Sequence, residues 1–177
     1  MRNLRRGRHV FPDMIQNIMI RTAVPAEAPA LTELHARARA TYYEGGFPDD
    51  GVDWAERWRA AIERPDGHVL CAVRDGRVAG LASFRTPEDA PADTVKLFQF
   101  HVDPDLWRTG IGGCLHAACV EEWRADGMTE AILDVHADNA RAQGFYAAKG
   151  WESLGAGDDG GGHVRMRLPL GESPLGE

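Results

Sequence analysis

The chain has 177 residues, of which 44% are hydrophobic and 27% charged, and a net charge of −7. That is the length and balance of one folded domain, so collagen-like, low-complexity and globally disordered classes are excluded. The negative charge argues against a nucleic-acid surface, and no apolar run approaches the ~18 residues that span a bilayer. Cys71, Cys114 and Cys119 contain no C-x-x-C pair. They spell neither a disulfide framework nor a zinc site, and point to a cytoplasmic protein without metal.

Residues 1–18 carry four arginines against Asp13 and read as a disordered extension ahead of a domain over 19–170, with a flexible tail at 171–177. Leu31, Leu34 and Ala38 recur at helical spacing within 25–41, as do Trp54, Trp58 and Ala61 within 53–63. Gly45, Gly46, Pro48 and Gly51 break the segment between them into a loop. Asp75-Gly76 between two apolar runs is a hairpin signal, and 94–102 reads as a longer strand paired with that hairpin. Next come a helix over 110–125 with Gly127 as its cap, a strand at 131–136 and a helix over 139–149. A final strand pair lies at 151–154 and 163–168. Hairpins combined with one strand-helix-strand crossover imply a mixed sheet flanked by helices.

The segment Val102-Asp-Pro-Asp-Leu-Trp-Arg-Thr-Gly-Ile-Gly-Gly-Cys-Leu ends a strand and opens an amphipathic helix with glycines. Such a turn presents unpaired N–H groups and the positive end of a helix dipole to an anion. A P-loop is excluded because Cys114 and Leu115 follow Gly113, and the dinucleotide fingerprint fails at Leu115. The second informative segment, 134–151, places Asn139, Ala142, Gln143 and Tyr146 on one helical face. Cys114 and Cys119 read as packing residues of the preceding helix.

Together, V-x-P…G-I-G-G and N-x-x-A-x-x-F-Y-x-x-x-G-W resemble the GNAT superfamily of N-acetyltransferases over residues 19–170. The resemblance implies an α+β fold, a mixed, mostly antiparallel twisted sheet of six to seven strands with about four helices. It implies acetyl-CoA as cofactor and direct attack by a primary amine of a small molecule or peptide in a ternary complex. A non-catalytic acyl-CoA-binding module of the same fold is the alternative. The pantetheine would lie along Phe100, His101 and Val102. The pyrophosphate would sit on the turn of Trp107, Arg108, Thr109, Gly110, Ile111, Gly112 and Gly113. Asn139 and Gln143 would contact the cofactor, and Tyr146 would protonate the leaving thiolate. Dimers are common among relatives.

Two positions depart from the pattern: Trp107 stands where Gln or Arg is usual, and Lys96 where many relatives carry Glu. The base is therefore open between His101 and His136 at two strand ends, with Glu44 a weaker option. The acceptor would enter over the loops 42–53 and 155–163. There Tyr42, Tyr43, Glu44, Asp49, Asp50, Asp53, Asp158 and Asp159 form an acidic, partly aromatic rim suited to a cationic amine.

Overall fold

In the computed structural model, which describes residues 17–46 and 48–171, alternation of apolar residues sorts the chain onto two faces of a single sheet. The strands are β1 (Ile18–Thr22), β2 (His68–Arg74), β3 (Arg77–Arg85), β4 (Thr94–Val102), β5 (Glu130–His136), β6 (Glu152–Ala156) and β7 (His163–Pro169). The helices are α1 (Ala28–Arg39), α2 (Trp54–Glu63), α3 (Ile111–Ala125) and α4 (Ala140–Ala148). Strand order is β1-β2-β3-β4-β5-β7-β6, antiparallel throughout except for the parallel pair β4–β5. This is the expected mixed, mostly antiparallel architecture. The sequence boundary at residue 19 falls one residue inside β1, and residues 1–16 and 172–177 lie outside the described residues.

Period-2 alternation is plainest in β2. Val69 and Cys71 join Leu31, Leu34 and Trp58 beneath α1 and α2, whereas Leu70 and Ala72 join Leu115, Cys119 and Trp123 beneath α3. Local chemistry sets the ends of these elements. Asp75 and Gly76 both take positive φ, +51° and +74°, as a two-residue hairpin with the sheet's twist requires. Asp53 caps α2 by accepting from the Glu56 N–H at 3.0 Å. At the end of α3, Met128 N–H bonds Trp123 C=O at 2.9 Å and Gly127 N–H bonds Arg124 C=O at 3.1 Å, a Schellman closure. Among the described residues, no helix is long and apolar enough to cross a membrane.

Two features of β4 position the site. Phe98 is an extra residue in the β3–β4 ladder, since Ser83 pairs with Gln99 and Phe84 with Leu97. Pairing of β4 with β5 stops at Leu97–Leu133, although the strands continue to Val102 and His136. Beyond that point the edge of β4 toward β5 is open, and a cleft begins there.

Candidate active site

The turn after β4 is held from three directions. Arg37 of α1 reaches both carboxylate oxygens of Asp103 at 3.1 and 3.0 Å, the Trp107 indole N–H donates to Val102 C=O at 3.1 Å, and the Thr109 hydroxyl donates to Leu106 C=O at 2.6 Å. Thr109 is thereby used inside the turn rather than at its rim. Arg108 and Gly110 take φ +62° and +91°, which turns the chain into α3. The first bond of that helix runs from Cys114 N–H to Gly110 C=O at 3.1 Å, so the N–H groups of Ile111, Gly112 and Gly113 have no intrahelical acceptor. The Ile111 side chain itself is buried in the core.

Two cations, Arg141 of α4 and Lys149 just past its end, face this helix start. The Arg141 guanidinium lies 3.3 Å above the Trp107 ring, and a Cβ on Gly113 would stand 3.6 Å from Lys149 Nζ. Among the described residues no carboxylate pairs with either cation. Trp107 therefore carries no charge of its own but seats one. The open N–H groups, the helix dipole, the missing side chain at Gly113 and the two cations fit a pyrophosphate.

The cleft beyond Leu97 and Leu133 has a volume of about 400 Å3. Tyr146 and Asn139 line one wall, Tyr42 and Tyr43 a second, Trp54 and Arg57 of α2 a third, and His101, His136 and His163 complete it. Tyr146 is 6% exposed, and burial raises its phenol above the ordinary value, so it stays protonated. Phe100, by contrast, packs on Phe145 at 5.7 Å and on Tyr146 at 6.1 Å.

The two amides of α4 are engaged within the protein. Asn139 Oδ1 caps the helix by accepting from Ala142 N–H at 3.2 Å, and the Gln143 side-chain NH2 donates to the carbonyls of His136 and Ala137 at 3.2 and 2.9 Å. Asn139 lines the cleft, while Gln143 braces the loop between β5 and α4 instead of facing it.

The three cleft histidines differ in which nitrogen is free. His101 Nε2 meets Gln99 Oε1 at 2.8 Å, its ring stacks on buried His35 at 4.9 Å, and burial pushes it well below the ordinary imidazole value. His136 packs between Tyr42 and Tyr43 at 5.3 and 5.0 Å, and its Nδ1 accepts from Asp138 N–H at 3.2 Å, which leaves the ring proton on Nε2. His163 Nδ1 instead meets the Asp159 carboxylate, which draws the proton to Nδ1 and leaves the Nε2 lone pair open. Sequence reading did not single out His163; the Asp159–His163 spacing across three glycines is the signal that could have found the pair.

Most of the acidic rim expected from sequence has internal work. Asp49 accepts from Gly51 N–H and Asp50 from Val52 N–H, each at 3.0 Å, and Asp50 also takes the Trp54 indole N–H at 3.1 Å. Asp53 is the α2 cap, Asp158 lies 3.6 Å from Arg165, and Asp159 holds His163. Glu44 is exposed and does not line the cleft. Asp134, a cleft carboxylate on β5, is gripped by Arg165 at 2.7 and 2.8 Å and by Lys96 at 3.0 Å, which lowers its pKa to about 2. A carboxylate so neutralised is not a base.

The sequence matches the acetyltransferase (GNAT) family model over residues 29–151. It is 30% identical over 141 residues to the mycothiol acetyltransferase of Sanguibacter keddieii, covering 76% of this chain and 43% of that protein, so it spans less than half of that relative's length. It is 27% identical over 125 residues to the [ribosomal protein bS18]-alanine N-acetyltransferase of Escherichia coli, covering 71% and 74% of the two chains. Among solved structures, yncA from Salmonella typhimurium with its cofactor acetyl-CoA superposes with a TM-score of 0.70 at 25% identity, covering 88% of this chain and 95% of that one.

Proposed function

The chain belongs to the GNAT acetyltransferase family, and from that premise we propose that it transfers an acetyl group from acetyl-CoA to a primary amine by direct attack in a ternary complex. The observation that carries this reading is the continuity of one surface. The unpaired edge of β4 runs through the chain into the turn that opens α3 with its open N–H groups, and the buried phenol of Tyr146 lines the cleft where β4 and β5 part.

Bound acetyl-CoA would supply the acyl group already activated as a thioester. Ile111, Gly112 and Gly113 offer N–H groups to its pyrophosphate, with Arg141 and Lys149 adding charge. The open edge of β4 past Phe98 offers backbone groups to an extended amide-bearing arm.

The amine must lose a proton as it attacks. We assign that proton to His163 Nε2, with Asp159 orienting the ring through Nδ1. His136 presents an N–H toward the same space, and His101 is held neutral by burial, so both serve better as donors or packing groups than as the base. Tyr146 lines the cleft where the departing thiolate would lie. Its raised pKa makes full proton transfer to a thiolate uphill, so the phenol stabilises the developing charge by hydrogen bonding.

Calorimetric titration with acetyl-CoA, coenzyme A and dephospho-coenzyme A, followed by an amine panel read by thiol release, tests the reading. Binding that survives loss of the ribose phosphate, with turnover that falls about 100-fold in Tyr146→Phe at unchanged acetyl-CoA affinity, is expected. Binding without turnover on any amine would return the non-catalytic module, and no binding at all would end the acetyl-CoA reading.

A further inference from the structure

Trp54 stands at the end of the cleft formed by α1 and α2, and two arginines flank its ring. Arg39 of α1 and Arg57 of α2 each lie 5.6 Å from the ring centre, and all three side chains line the cleft. Arg39 also donates to the Tyr43 hydroxyl at 3.3 Å. Among the described residues, no carboxylate pairs with Arg57, which is exposed on α2 with the indole as its contact.

The negative charges that border this end have partners. The Asp50 oxygens accept from Val52 N–H and Trp54 Nε1, Asp53 caps α2, and Asp134 is matched by Arg165 and Lys96. On a chain with a net charge of −7, two guanidiniums thus gather at one indole in the cleft, with the Asp50 carboxylate on that indole's N–H. A guanidinium beside an indole offers its N–H fork to a planar anion.

We propose that the acceptor amine carries a carboxylate remote from its nucleophilic nitrogen, and that this carboxylate docks on Arg57, with Arg39 beside it, at the Trp54 end of the cleft. The nitrogen then lies toward His163 and Tyr146 at the opposite end. The assignment of the nitrogen rests on the acyl-transfer reading; the anion site does not. It is an alternative to the cationic acceptor expected from the acidic rim, whose carboxylates also serve as turn caps, a helix cap and ion-pair partners.

The probes are 6-aminohexanoate and hexylamine, alike in chain length and amine but differing in the carboxylate. Each is titrated calorimetrically into the wild-type protein and into Arg57→Ala and Arg57→Lys, with and without saturating coenzyme A. The amino acid is expected to bind at least about tenfold tighter than the plain amine, the range of one charge-assisted contact. The ratio should approach one in Arg57→Ala, recover in part in Arg57→Lys, and shrink in high salt for the wild-type protein, a readout that needs no variant. Equal or tighter binding of hexylamine, a preference that survives Arg57→Ala, or no binding of either probe overturns the proposal. Loss of coenzyme A binding with the carboxylate preference intact would strike the acyl-transfer reading alone.

Discussion

Trp151 and Tyr146 are tied twice: the Trp151 N–H donates to Tyr146 C=O at 3.0 Å, and their rings meet edge-on at 5.6 Å. Gly150, at φ +95°, makes the closure, with its own N–H on Ala147 C=O at 3.1 Å. The Gly-Trp pair after α4 is thus what aims the phenol. In Gly150→Ala a Cβ would meet only Leu168 Cδ1, at 3.6 Å, so the cost is in the backbone, about 1 to 2 kcal/mol. Urea denaturation should show that loss, together with lower turnover at unchanged coenzyme A affinity.

Arg141 over Trp107 predicts a salt-sensitive contact. Arg141→Ala should weaken coenzyme A binding about tenfold in low salt and less as ionic strength rises. Trp107→Phe keeps an aromatic face but loses the bond to Val102 C=O, so its effect should be smaller. If the Arg141→Ala defect disappears with dephospho-coenzyme A, the guanidinium serves the ribose phosphate and not the pyrophosphate.

Replacing His163 by Gln should lower kcat/KM by about 100-fold with coenzyme A affinity unchanged. Asp159→Asn keeps an acceptor for Nδ1–H but removes the charge, so a smaller loss is expected. A His163→Gln variant whose kcat/KM matches wild type would reassign the base.

Acid stability follows from two buried histidines. Burial lowers His35 and His116 from 6.5 to about 4, and His116 Nε2 already accepts the Trp151 indole N–H at 2.9 Å. Because the folded values lie below the unfolded one, their contribution is present above pH 6.5 and is lost as pH falls toward 4, by up to about 3 kcal/mol each. His116→Gln leaves an acceptor for Trp151 without the titration. Its urea midpoint should fall less than that of wild type between these pH values.

Sequence alone determined the elements and their punctuation, because those depend on a residue and its near neighbours. Asp75-Gly76 has one inexpensive backbone solution, Gly127 and Gly150 each close a helix, and the glycines after β4 can only open α3. The family motifs were legible for the same reason, being short runs whose function lies in backbone geometry.

Charge was decided by the tertiary structure. Lys96 read as a lost carboxylate, yet β5 lies beside β4 and brings Asp134 to it, while β7 brings Arg165 as a second cation on that carboxylate. The acidic rim dissolved into caps, turns and ion pairs, and the cations that face the cleft came from α1 and α2. Asn139 and Gln143 share a helical face, but their amides were taken by the helix start and the loop before it. Electrostatic pairing acts over a few ångströms between residues that strand order and helix crossing bring together, and no local periodicity records that distance.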